Sequence, residues 1–112
     1  MERFEAGVEV AQAGARVVTV RGELDLAAAE RLWEQLEPLL IPGALVVFEG
    51  TQMTFLDSSG LRVLLQAHKR AESEGATFRV VAPQAAARRV LQLAGADKHL
   101  QLRENLDAAL AG

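Results

Sequence analysis

The sequence predicts an α/β fold: a central, mostly parallel mixed sheet of four to five strands with helices packed on it, in the order β-β-α-β-α-β-α-(β)-α. Three observations lead there. Short apolar or β-branched runs (R-V-V-T-V-R from Arg16, A-L-V-V-F from Ala44, T-F-R-V-V from Thr77) have the composition of strands. They alternate with longer segments of helical period, and that alternation implies a mostly parallel sheet joined by right-handed crossovers. The length, 112 residues, suits one core and is too short for two, so residues 1–112 are expected to form a single domain.

In order along the chain, Phe4 to Val10 alternates weakly and reads as a short edge strand, ended by Ala13-Gly14. Arg16 to Arg21 is the first strong strand, and Gly22-Glu23-Leu24-Asp25 closes it as a loop. Asp25 stands at a helix N-cap position ahead of a helix from Leu26 to Leu40. Ala29, Leu32, Leu36 and Leu39 or Leu40 make its buried stripe, while Glu30, Arg31, Glu34 and Gln35 face water. Trp33 lies beside the stripe, either as core packing or as a partly exposed contact residue. Ile41-Pro42-Gly43 stops the helix.

Ala44 to Phe48 is an apolar run typical of an interior strand covered on both faces. Gly50 to Met53 is expected to be a linking turn. A second helix runs from the Asp57-Ser58 region to about Glu74, with Gly75 as its C-cap. Thr77 to Val81 is another strand, stopped by Pro83. Gln84 to Leu93 is a short helix with Gly95 as its stop signal, His99 to Leu102 a short final strand, and Asn105 the cap of a last helix through Leu110.

The most concentrated chemistry lies between Thr54 and Leu65, T-F-L-D-S-S-G-L-R-V-L-L. Leu61, Leu64, Leu65 and His68 fall at i, i+3, i+4 and i+7, one face of a helix. Asp57 or Ser58 is then its N-cap, and two hydroxyls stand at the positive end of that helix. A plain capping role accounts for Ser58 and Asp57 as well as an anion-related one does. Gly60 is a poor helix former, explained either by close packing or by room for a partner's backbone.

Composition excludes several classes. There is no cysteine, so no disulfide, thiolate nucleophile or cysteine zinc site. The net charge of −3 and the 4% of aromatic residues, without tyrosine, argue against direct nucleic-acid binding. No apolar run approaches the ~20 residues needed to span a bilayer, and the opening Met1-Glu2-Arg3-Phe4-Glu5 lacks the apolar core of a secretory signal. No membrane insertion and a cytoplasmic location are therefore expected. A serine hydrolase would need a base near Ser58. His68 lies roughly 15 Å along the same helix, His99 is in a segment of uncertain placement, and the context is not the G-x-S-x-G elbow. Neither histidine gathers a metal constellation, no phosphate-binding loop is present, and no cofactor is implied. A non-enzymatic role is expected, with serine hydrolase the remote alternative.

Three stretches in order carry a family resemblance: G-E-L-D (Gly22 to Asp25) after a strand, F-L-D-S-S-G-L (Phe55 to Leu61), and L-Q-L-A-G-A-D-K-H-L (Leu91 to Leu100). Together they resemble the anti-sigma factor antagonists of the STAS domain family over nearly the whole chain. The resemblance implies a protein that, when unphosphorylated, binds an anti-sigma factor which is also a serine kinase, and so frees a sigma factor. Phosphorylation of the serine after the aspartate, here Ser58 with Ser59 as runner-up, would switch it off, and a serine phosphatase would restore it. The implied docking surface is Glu23, Leu24 and Asp25 together with Asp57, Ser58, Ser59, Gly60, Leu61 and Arg62. Family members commonly have glycine where this chain has Arg62, which bears on which kinase docks and on how far an added phosphate is neutralised within the molecule. The alternative with the same fold is an interaction module of another assembly, a stress-signalling complex or lipid-transport system, without sigma-factor control.

Overall fold

A computed structural model describes residues 4–11, 14–81 and 84–111. Its sheet has the strand order β1-β2-β3-β4-β5, each strand lying beside its neighbour in sequence. β1 (Glu5–Val10) pairs antiparallel with β2 (Arg16–Leu24), Val8 opposite Val18. β3 (Leu45–Leu56), β4 (Thr77–Val81) and β5 (Gln101–Arg103) continue the sheet in parallel. The crossovers carry α1 (Leu26–Leu36), α2 (Ser58–Glu74) and α3 (Ala85–Leu93), and α4 (Leu106–Leu110) follows β5. A parallel sheet that advances one strand at a time with crossovers of one hand keeps its crossover helices on one face. The packing follows that rule. The main core joins Val18, Val20, Val46, Phe48, Phe78 and Val80 of the sheet to Leu32 and Leu36 of α1, Leu64 and Ala67 of α2, and Leu91 of α3.

The opposite face is smaller. Val17, Val47 and Val81 meet Ala109 of α4 there, so the central strands are apolar on both sides. Arg79, on that face beside Val47, holds the helix down. Its Nη1 donates to the carbonyls of Ala109 and Ala111, both at 2.8 Å, and its Nε donates to Gln101 Oε1 at 3.3 Å. A cation at the C-terminal end of a helix also suits the helix dipole.

The element order is the one the sequence predicts, including the final short strand, but several boundaries move. β2 runs on through Gly22, Glu23 and Leu24, which were expected to form a loop. Residues 50–53, expected to be a turn, are part of β3. The two departures have one cause. Thr19 pairs with Glu49 but Arg21 with Gln52, and Gly22 pairs with Met53 but Glu23 with Phe55. β3 thus carries an extra residue at two bulges, which keep it in the sheet where its composition reads as a turn. Gly22 accommodates the second bulge with φ +85°, and the Thr51 N–H at the first donates to Glu49 Oε1 at 2.9 Å.

α1 ends at Leu36 rather than Leu40, tightening into a 3-10 turn over Glu37–Leu39. Pro38, which has no N–H to continue the α-helical ladder, breaks the helix before Ile41-Pro42-Gly43 does. Ala28 joins Ala29, Leu32, Leu36 and Leu40 in the core, Leu39 is only half-buried, and Gln35 tucks its amide against the Ala6 carbonyl at 3.4 Å instead of facing water. On α2 the buried stripe is Gly60, Val63, Leu64, Ala67 and Ala71. Leu61 and Leu65 lie at its edge and His68 is partly exposed, so the face is rotated from the leucine pattern. α3 begins at Ala85 with Gln84 as cap residue. β5 starts two residues later than expected because a 3-10 turn, Ala96–Lys98, occupies the approach and His99 ends it. Gly75 and Asn105 cap as predicted. Ala13 and Pro83, expected to end strands, lie outside the described residues.

At Gly60, α2 lies directly against side chains of the sheet. A Cβ there would stand 2.6 Å from Leu24 Cγ and 2.6 Å from Leu56 Cδ1. Gly60→Ala is therefore expected to destabilise the fold by up to about 2 kcal/mol net, because an overpacking cost of about 1–3 kcal/mol outweighs the ~1 kcal/mol of helix propensity gained. Gly7, with nothing within 4 Å of a built Cβ, should accept alanine without loss. Urea unfolding of both variants beside wild type checks the contrast, and equal midpoints for Gly60→Ala and wild type would refute it. Asp57 Oδ1 accepts from the N–H groups of both Ser59 and Gly60, at 2.9 and 3.1 Å. Asp57→Ala should cost about 0.5–2 kcal/mol in the same assay, with Asp57→Asn retaining most of the stability.

Candidate functional site

The site grows from the paired ends of two strands. β2 and β3 finish in register, Leu24 beside Leu56, and the Asp57 N–H donates to the Leu24 carbonyl at 3.4 Å. The next residue in each chain segment is an aspartate with nearly the same backbone: φ −100°, ψ −170° at Asp25 and φ −105°, ψ −173° at Asp57. Each caps the helix it precedes. Asp25 Oδ1 accepts from Ala28 N–H at 3.0 Å, and Asp57 Oδ1 from Ser59 and Gly60. Two helix N-termini are thereby set side by side at the C-terminal edge of a parallel sheet, the edge where α/β folds place their functional groups.

Ser58 is the first residue of α2 and is exposed; its hydroxyl makes no hydrogen bond among the described residues. Ser59 is half-buried and Arg62, one turn further on, is exposed. Glu23 and Asp57 are partly exposed and Asp25 is exposed. Leu24 and Gly60 differ from the other residues of the predicted surface. Both are buried, Leu24 completely, and they present no side chain to a partner. Leu24 supports the strand ends and Gly60 lets α2 seat on it. Leu61 is half-buried against the core.

Two large apolar side chains flank this region, Leu26 at 66% and Phe55 at 47% exposure, and the sequence reasoning placed neither on the surface. The signal for Phe55 was present. In strand alternation the residue before the buried Leu56 must point the other way. Between α1 and α2 runs an open groove of about 370 Å³, lined by Leu26, Trp33, Ser59, Arg62 and Gln66 with Glu30 and Glu34 on the α1 side. Trp33 is half-buried in it, with the Arg70 guanidinium 5.5 Å from its ring and Arg70 in turn 3.2 Å from Glu37. Both readings of Trp33 thus apply: one side packs on the core and the other lines the groove.

His68 lies on the same helix as Ser58, ten residues along it, and pairs with Glu72 at 3.3 Å. At 1.5 Å of rise per residue that is about 15 Å, out of reach of the serine hydroxyl. His99 is exposed at the turn before β5. Among the described residues no three histidines, aspartates or glutamates gather to hold a metal ion, and no helix is long and apolar enough to cross a membrane. The arrangement offers a protruding hydroxyl at a helix start, an apolar-floored groove beside it, and charged rims.

The model of the STAS domain matches residues 8–109. The crystal structure of an anti-sigma factor antagonist from Mycobacterium paratuberculosis superposes with a TM-score of 0.83 at 31% identity, over 96% of this chain and 92% of that one. The Bacillus cell fate determinant SpoIIAA in its phosphorylated form gives 0.68 at 22% identity, over 88% of this chain and 91% of that one. The anti-sigma factor antagonist SpoIIAA in its unphosphorylated form gives 0.71 at 19% identity, over 92% and 91%. Given a family model matched over almost its entire length and a solved relative sharing nearly a third of its residues, this chain belongs to the STAS domain family.

Proposed function

We propose that this protein is an anti-sigma factor antagonist, lacking catalytic activity of its own and acting in the cytoplasm. In its unmodified form it binds an anti-sigma factor that is also a serine kinase. It docks through the exposed residues Glu23, Asp25, Ser58, Ser59 and Arg62 with the adjoining groove. The kinase moves a phosphoryl group from its nucleotide to Ser58 Oγ, the hydroxyl proton leaves, and the complex parts; a serine phosphatase reverses the modification.

The observation that carries this reading is the position of Ser58. It is an exposed hydroxyl, without a hydrogen bond among the described residues, directly after the capping Asp57 and on the first residue of α2. A kinase needs a hydroxyl it can reach and orient, and a helix start on a sheet edge presents one without unfolding anything. The similarity to the mycobacterial antagonist supports the choice of partner class, and the phosphorylated form known for the Bacillus relative supports a covalent switch.

The electrostatics give the switch its direction. Phosphate adds about −1.5 to −2 charges at neutral pH. The rim already holds Glu23, Asp25, Asp57, Glu30 and Glu34, so a phosphate on Ser58 adds like charge to an already acidic corner. Burying a further dianion in a docked interface without a matched cation costs several kcal/mol. At about 1.4 kcal/mol per tenfold in affinity, that is enough to dissolve a micromolar complex.

Incubation with a candidate anti-sigma kinase and ATP, followed by mass spectrometry, tests the assignment. One phosphate is expected on wild type and on Ser59→Ala, and none on Ser58→Ala. In binding titrations Ser58→Asp should weaken the complex at least tenfold while Ser58→Ala retains it. Phosphate on Ser59 instead, or a Ser58→Asp complex as tight as wild type, would sink the proposal. Tight binding to a partner that is not a kinase and ignores residue 58 would favour the plain interaction module.

A further inference from the structure

Arg62 makes no hydrogen bond or ion pair among the described residues, and its side chain is exposed. Its neighbours one turn away on α2 are Ser58 and Ser59 on one side and Leu65 and Gln66 on the other. As the helix stands, none of them is an anion. The i, i+4 spacing puts the Cβ atoms of Ser58 and Arg62 about 5–6 Å apart, and helical side chains lean back toward the N-terminus, a direction that brings the first turn within reach of an arginine at this position. The other charged groups placed around that turn are acidic: Asp57 on the helix itself, Glu23 and Asp25 at the end of β2, Glu30 and Glu34 on α1. Among the described residues that line the groove, Arg62 is the one cation. The donors a phosphate on Ser58 would otherwise use, the N–H groups of Ser59 and Gly60, are already engaged by Asp57 Oδ1.

We propose that Arg62 is the internal counter-ion of a phosphate on Ser58, idle in the unmodified chain and engaged when the phosphate is added. The inference rests on Ser58 being the modified residue, as proposed above. An anion placed four residues N-terminal to a cation is the favoured orientation of a helical ion pair, and a guanidinium binds phosphate oxygens through two parallel hydrogen bonds. Modification then changes two charges on the docking face. It adds the phosphate, and it withdraws Arg62 from the groove, where the unmodified chain offers it to an acidic group of the partner.

The test installs phosphoserine at position 58 during translation, with no kinase involved, and follows the phosphate by ³¹P NMR across pH. A nearby cation stabilises the dianion, so the second phosphate pKa in wild type should lie below that of Arg62→Gln by roughly 0.15–0.4 unit. Arg62→Lys should restore part of the difference, as a charge without the planar fork. The unmodified wild-type and Arg62→Gln proteins should unfold at the same urea concentration, which separates ion pairing from a structural effect. Coincident phosphate titrations of wild type and Arg62→Gln would overturn the proposal. Failure of any kinase to modify Ser58 is read in the separate transfer assay and bears on the proposed function alone.

Discussion

The register between the ends of β2 and β3 is the constraint on which the rest depends. Because Leu24 lies beside Leu56, the two aspartates that follow fall side by side, and two helices must start at neighbouring points on the sheet edge. The two bulges in β3 set that register. Without the extra residues, β3 would end out of step with β2, and Asp57 would not reach the Leu24 carbonyl. Gly60 then closes the arrangement by letting α2 lie directly on Leu24 and Leu56. Ser58 is thus held by a sheet on one side and a capped helix on the other, a rigid mount that suits the recognition proposed for it.

Much of this was legible in the sequence, and what was not has definite physical causes. The strand cores, the helix order and both caps follow from side-chain chemistry that acts locally: β-branched runs, aspartate before a helical period, glycine after it. The stretch from Gly50 to Met53 misled because a bulge depends on the partner strand, and nothing within Gly-Thr-Gln-Met says that β2 will pair with it. The same blindness turned Gly22 to Leu24 into a loop. The rotated face of α2 has a different origin. Three of its five inner positions, Gly60, Ala67 and Ala71, are small residues that carry little hydrophobic signal but allow close approach, so Leu61 and Leu65 drew the pattern toward themselves.

The site divides in the same way. Ser58, Asp57 and Arg62 could be named from the motif and its helical spacing, and Asp25 from its cap position. Leu24 and Gly60 belong to the same motif yet serve beneath the surface, a distinction that burial alone reveals. The groove, with Leu26 exposed at its mouth and Trp33 along its wall, exists only once α1 and α2 are set next to each other, so no single stretch of sequence contains it.

The chemistry of the helix start also decides what kind of switch it can be. A charged group near a helix N-terminus gains about 0.3–1 kcal/mol when it is an anion, and like-charge repulsion from Asp57 offsets a term of that size. Neither effect approaches the 5–15 kcal/mol that holds a domain of this kind together, so a phosphate on Ser58 leaves the fold standing. In the proposed switch its effect therefore falls on the contact rather than the domain. In the open, water screens the added charge; only when a partner excludes that water does the same dianion become expensive. A hydroxyl on a stable, exposed corner thus suits the proposed modification, which has to change who binds while leaving the binder intact and ready to be reset.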